Sequence, residues 1–339
     1  MNVSPVTHSL IAEGLCKRYG DVAALDGFDL AVPPGTVHGL LGPNGAGKST
    51  AVKILSTLLD FDSGTARVAG HDVRGQARLV RQRIGLVGQE AAVDEILSGR
   101  QNLVMFGRLY GLSTLDARSQ AGDLLASFDL ADAADRAVST YSGGMRRRLD
   151  IAVGLVLTPS VLFLDEPTTG LDPRARNEVW QAVRQVAEHG TTVLLTTQYL
   201  DEADQLASRI TVLNQGRVVA DDSPEALKRQ IGGDRVTVTL PRRLPLGPAA
   251  EALAVTVGVP GAVDSANHAV TFEAGAGVVV LAEVVRALDA AGVVPEDLVL
   301  RRPTLDEVFL TLTGPRQQAA ATAAATTAAA AARIEEDVR

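Results

Sequence analysis

The amino-acid sequence predicts an α/β fold in which helices cover a mostly parallel sheet, followed by a small α+β domain. Three observations carry that prediction. Apolar runs such as "SVLFLD" (160–165) and "TTVLLTT" (191–197) are nearly continuous, as in strands covered on both faces. Hydrophobic residues make up 46% of the chain but aromatics only 4%, so Val, Leu, Ile and Ala must fill the interior. The stretch "VHGLLGPNGAGKSTAVKILSTLL" (37–59) changes from continuous apolar to helical spacing at its glycines.

Taken in order, residues 8–58 read as short apolar strands, a turn and a helix. Further buried strands are expected at "RIGLV" (83–87), 160–165, 191–197 and "RITVLNQG" (209–216). Residues 95–158 carry helical patterns without a convincing strand, which suggests a helical subdomain inside an α/β domain spanning 10–225. "DPRARNEVWQAVRQVAEHG" reads as a helix with Asp172 at the N-cap, Pro173 in the first turn and Gly190 past the end; Val179, Val183 and Val186 line one face. Composition changes near 225. "RVTVTL" (235–240) and "HAVTFEAG" (268–275) alternate like half-buried strands, "EDLVL" offers a third, and "VVVLAEVVRALDAAG" (278–292) is helical. "TLDEVFLTL" opens with Thr304 and Glu307 at capping-box spacing. Residues 226–314 thus read as a small α+β domain, and the alanine-rich segment 315–339 as a frayed or disordered tail.

A chain of 339 residues accommodates one large domain and one small one. Its net charge of -8 argues against binding to a nucleic-acid backbone. One cysteine, Cys16, excludes an internal disulfide and suits a reducing compartment. The start "MNVSPVTHSL" lacks the pattern of a secretion signal, and no apolar run is long enough for a bilayer.

Residues Gly42-Pro43-Asn44-Gly45-Ala46-Gly47-Lys48-Ser49-Thr50 match G-x-x-x-x-G-K-[ST] between a strand and a helix. Glycines allow backbone N–H groups to curl around phosphate oxygens. Lys48 is placed to reach the β- and γ-phosphates, and the Ser49 hydroxyl to ligate Mg²⁺. This is the phosphate-binding loop of a P-loop NTPase, so ATP or a related triphosphate is the expected ligand. "VLFLDEP" narrows the chemistry. Asp165 ends an apolar strand where it would hold the Mg²⁺ shell, and Glu166 follows where it would orient and deprotonate an attacking water.

The stretch "TYSGGMRRRLD" (140–150) sets two glycines before three arginines. Ser142 occupies an N-cap position, and Met145, Leu149, Ala152 and Val156 form an apolar stripe behind it. Ser142, Gly143 and Gly144 therefore present hydroxyl and N–H groups at the positive end of a helix, an anion site without a side-chain cation. A second phosphate site makes sense if a partner subunit clamps the γ-phosphate. The arginines then flank the site and pair with acids.

With the phosphate loop, "YSGGM" and "LFLDEPTTGLDP", residues of about 10 to 225 resemble the nucleotide-binding subunits of ATP-binding cassette transporters. The resemblance implies a head-to-tail homodimer holding two ATP molecules between each phosphate loop and the partner's "YSGGM" segment. It also implies that Tyr19 stacks on adenine and that Gln89 contacts the metal and the attacking water while facing a membrane subunit. Leu171 and Asp172 match the segment crossing the dimer interface.

Two positions depart from the family pattern: Met145 stands where the family has glutamine, and Gln198 replaces the histidine that hydrogen-bonds the γ-phosphate. A glutamine amide donates that bond without a charge, so slower and less pH-sensitive hydrolysis is expected. Both departures, with "RRPTLDEVFLTLTG" (301–314), resemble the daunorubicin-resistance type of exporter ATPase. That resemblance implies a subunit on the cytoplasmic face of the membrane, paired with a separate permease that exports hydrophobic compounds. A soluble cassette ATPase acting on nucleic acid or ribosomes is the alternative, as is a weakly hydrolytic regulatory cassette. A single phosphate loop without a Cys/His cluster argues against the first, and Glu166 against the second.

Overall fold

The computed structural model describes residues 8–313 apart from 232, 233, 259, 275, 276, 291 and 302; the tail at 315–339 lies outside the described residues. The chain divides into two compact units, Met1–Pro224 and Glu225–Arg339.

The first unit begins with β1 (Leu10–Tyr19), β2 (Val22–Val32), β3 (Val37–Leu41), α1 (Lys48–Leu55), β4 (Ser63–Val68), β5 (His71–Asp72), α2 (Ala77–Arg81) and β6 (Ile84–Val87). Three helices follow: α3 (Gly99–Leu109), α4 (Thr114–Ser127) and α5 (Gly143–Gly154). The unit continues through β7 (Val161–Asp165), α6 (Pro173–Glu188), β8 (Thr192–Thr197), α7 (Leu200–Leu206), β9 (Arg209–Asn214) and β10 (Arg217–Asp222).

Its central sheet has the order β10-β9-β3-β8-β7-β6, parallel except for the edge strand β10. The unbroken apolar runs have the predicted cause. Leu162, Leu164, Val193 and Leu195 enter a core shared with α5 and α6, while the alternate residues Val161, Phe163 and Leu194 enter a core with α1 and a second sheet. Both sets are fully buried.

That second sheet, order β2-β1-β4-β5, is antiparallel. These strands are longer than the short ones expected over residues 8–58, because Gly14, Gly20 and Gly27 interrupt the apolar pattern. All three have positive φ, but Gly14 and Gly27 lie within strands whose pairing shifts register beside Gly14. Helix α6 starts as its sequence predicts, with the Asp172 carboxylate accepting from Ala175 N at 2.9 Å.

The second unit contains α8, which starts at its border (Pro224–Ile231), β11 (Asp234–Thr239), α9 (Leu246–Val257), β12 (Gly261–Asp264), β13 (Ala269–Ala274), α10 (Gly277–Ala290), β14 (Asp297–Arg301) and α11 (Leu305–Thr313). Its antiparallel sheet, β12-β13-β11-β14, buries Val236, Val238, Val270 and Phe272 against Leu253, Val284 and Leu288 of the helices. The capping box expected at Thr304 is half formed. Glu307 N donates to Thr304 Oγ1 at 3.4 Å, but the Glu307 carboxylate pairs with Arg301 instead of returning to the cap.

Candidate nucleotide site

The C-terminal ends of β3, β6, β7 and β8 all open on one edge of the parallel sheet, where ligands bind in open α/β sheets. Between β3 and α1 the loop Gly42–Gly47 turns with positive φ at Gly45 (80°) and Gly47 (110°). Gly47 is also required by packing, since a Cβ there would overlap the Ala24 carbonyl oxygen; one at Gly42 would overlap that of Leu213. Lys48 is buried and donates to the carbonyls of Gly42 (2.7 Å) and Pro43 (3.2 Å). Its Nζ lies 3.7 Å from Glu166 Oε1. Burial pulls the Lys48 pKa below the usual lysine range, and Glu166 and Asp165 oppose that pull.

Around this loop lies a cavity of about 450 Å³, walled by residues 43–50, Val22, Ala24, Gln89, Glu166 and Gln198. That volume falls within the range of small-molecule sites. Glu166 has φ 48°, a left-handed conformation uncommon outside glycine. It is held there by Thr196, whose carbonyl and hydroxyl accept from Glu166 N at 3.1 and 3.2 Å. The same hydroxyl donates to the Asp165 carboxylate. Thr196 thus fixes both carboxylate residues. The sequence hid this role in an apolar strand where threonine serves equally as a β-branched filler.

Gln198 sits just past β8, half-buried at the cavity wall, and Gln89 is exposed just past β6. Tyr19 is half-exposed and lies outside the cavity wall, yet it pairs in register with Val22, which belongs to it. Ser142 caps α5 by accepting from Met145 N at 3.2 Å. Neither Ser142, Gly143 nor Gly144 reaches the phosphate-loop cavity of its own chain. Gly143 instead shares a smaller cleft, about 100 Å³, with Gln89, Glu166 and Leu171. The three arginines pair with acids: Arg146 with Glu95, Arg147 with Asp150, and Arg148 with Glu178. On the far side of the Glu166 turn, the buried Glu202 carboxylate accepts from Thr168 Oγ1 (2.7 Å) and Trp180 Nε1 (3.1 Å). Burial raises the Glu202 pKa above the usual carboxylate range.

A phosphate loop, a strand ending in paired carboxylates and a capped glycine pair on a separate helix define a P-loop ATP-binding cassette. Residues 25–169 match the family model described as ABC transporter. The chain belongs to the ABC transporter family as one of its ATP-binding subunits, which are ATPases. It is 59% identical to the daunorubicin resistance ATP-binding protein DrrA2 of Streptomyces coeruleorubidus, over 92% of this chain and 97% of that one. It is 46% identical to the doxorubicin resistance ATP-binding protein DrrA of Mycobacterium tuberculosis, over 90% and 93%. Among solved structures, cbiO1 from Clostridium perfringens, part of the ABC transporter complex cbiONQ, aligns with a TM-score of 0.62 and 27% identity, covering 66% of this chain and 93% of that one.

Proposed function

We propose that this subunit hydrolyses ATP in a head-to-tail homodimer and thereby drives export of a hydrophobic drug or antibiotic through a separate membrane permease. The single observation that carries the dimer is the cavity that gathers Lys48, Glu166 and Gln198 while excluding the Ser142-Gly143-Gly144 helix end of the same chain. A second copy supplies that end. The resistance named for the relatives supports drug export, and the net charge of -8 speaks against nucleic acid as partner.

Lys48 and the loop N–H groups bind the β- and γ-phosphates, with Ser49 and Thr50 at the head of α1. Glu166 orients the attacking water and accepts its proton, and the Gln198 amide donates to the γ-phosphate. Tyr19 stacks on adenine, and Leu171 and Asp172 meet the partner subunit. The oxygen donors of Ser49, Gln89 and Asp165 fit Mg²⁺, a hard cation that keeps phosphate and water ligands besides one or two carboxylates. Bound there, the ion would neutralise charge on the transferring phosphate.

The permease is assigned to the surface around Gln89 and to α3 and α4, whose Arg100, Gln101, Val104, Met105 and Arg118 line a groove of about 540 Å³, with Ile96 87% exposed ahead of α3. Among the described residues no helix is long and apolar enough to cross a membrane, so attachment to the cytoplasmic face is assigned to that partner. Residues 226–314 form an accessory domain in this reading.

Three variants test the site. Lys48→Ala should abolish ATP hydrolysis. Glu166→Gln should retain ATP binding and elute as a dimer with ATP and Mg²⁺ in gel filtration. Gln198→Ala should lower kcat about 10- to 1,000-fold, the range for one lost transition-state donor. A Glu166→Gln protein that stays monomeric and turns over normally would sink the assignment.

A further inference from the structure

Arg147 is buried in the second turn of α5, and its guanidinium makes contacts that its neighbours Arg146 and Arg148 do not. Nε donates to Pro167 O at 2.8 Å, and Nη2 lies 3.4 Å from Asp165 O. Nη1 donates to Gly88 O at 2.7 Å and to Asp150 Oδ2 at 3.0 Å. The other oxygen of Asp150 accepts from Ala92 N at 2.9 Å. One ion pair therefore grips the backbone on both sides of Glu166, at Asp165 and Pro167, and on both sides of Gln89, at Gly88 and Ala92.

The energetics point to position rather than stability. A buried ion pair gains little over apolar residues of the same volume, because desolvation offsets the Coulomb attraction. Apolar side chains would leave three carbonyls and one N–H without these partners. A planar, multi-donor guanidinium satisfies three separate carbonyls together with a carboxylate, a geometry that the point charge of lysine does not reproduce.

Resting on the site reading above, we propose that Arg147, with Asp150, is a positioning residue: it holds Glu166 and Gln89 in register with the end of α5 that carries Ser142, Gly143 and Gly144. Movement of the helix end against a nucleotide is thereby passed to the water-orienting carboxylate and to the permease-facing glutamine through one rigid link. Arg147 itself is not among the residues that wall the phosphate-loop cavity.

The test uses the full chain with two variants, Arg147→Lys and the apolar pair Arg147→Met/Asp150→Leu. Each is assayed for steady-state ATP hydrolysis, equilibrium binding of a fluorescent ATP analogue and Tm, with Glu166→Gln in parallel. We expect kcat to fall roughly 10- to 100-fold in both, the cost of a misplaced group near 1 Å. KM and analogue affinity should stay within about threefold in both, while Tm falls further in the apolar pair, which leaves those backbone groups without partners, than in Arg147→Lys. The proposal is overturned if either variant turns over like the parent, if the loss appears in KM or affinity, or if kcat follows Tm across the variants. A dead Glu166→Gln beside a parent-like Arg147→Lys defeats this inference alone. A fully active Glu166→Gln defeats the site reading on which it rests.

Discussion

His38 occupies the middle of β3 with no exposure to solvent, and its Nε2 lies 2.8 Å from Thr211 Oγ1. Burial lowers its pKa from 6.5 to about 4, opposed by Asp221 and reinforced by Arg209. The folded chain therefore keeps this imidazole neutral, whereas the unfolded chain protonates it below about pH 6.5. Its contribution is fully present above that pH and is lost as pH falls toward 4. The loss amounts to about 2 kcal/mol by pH 5. Urea denaturation at pH 7.5 and 5 should show a steeper loss in the parent than in His38→Gln; equal losses would refute the assignment. At the same scale, the three arginines after Gly144 show what single residues conceal. Consecutive residues on a helix point about 100° apart, so identical letters meet a surface acid, a buried hub and a neighbouring helix. Asp150, a lone carboxylate opening the apolar run "IAVGLVL", was the available sign that one arginine turns inward. Lys48, Asp165 and Glu166 were legible because their motifs fix them to a loop and a strand end; Thr196 was not, because its work depends on a strand far away in sequence.

The glycines opening α5 have different reasons for being glycine. A Cβ on Gly144 would lie 2.8 Å from Ala175 Cβ on α6, whereas one on Gly143 would meet only Leu171 Cδ2 at 3.3 Å. The helix crossing thus constrains Gly144 independently of any phosphate. Gly144→Ala should destabilise the chain by about 1–3 kcal/mol through overpacking, and Gly143→Ala by less than about 1 kcal/mol. Chemical denaturation of both measures the difference, and equal effects would remove the packing argument. Elements with strong local chemistry were legible: β7, β8 and α6 follow apolar runs and caps already present in their own residues. The β1–β2 hairpin was not, because a glycine inside a bulged strand and a glycine in a turn are alike until the partner strand is known. In the second unit, β12 is short and mostly exposed, and only glycine fits at Gly261 because a Cβ there would overlap Val270 and Phe272.

For the whole molecule, every wall of the nucleotide cavity belongs to the first unit, which has its own buried clusters, and the second has another. A fragment of residues 1–224 should unfold cooperatively and bind a fluorescent ATP analogue within a few-fold of the full chain. A fragment that is unfolded or fails to bind would show that the second unit is needed to complete the first. The pairing of β3 bears also on how the site comes into being. The strand that carries the phosphate loop lies between β8 and β9, partners that follow it by more than 150 positions in the chain. At ordinary synthesis rates about 170 further residues take on the order of ten to thirty seconds. Until they emerge, the apolar "VHGLL" has neither neighbour, so a growing chain carries the phosphate-loop letters long before it has a pocket for ATP. ATP therefore cannot guide the early folding of this subunit, and a ribosome that stops before β8 releases a loop without its neighbouring strands or the Gln198 wall.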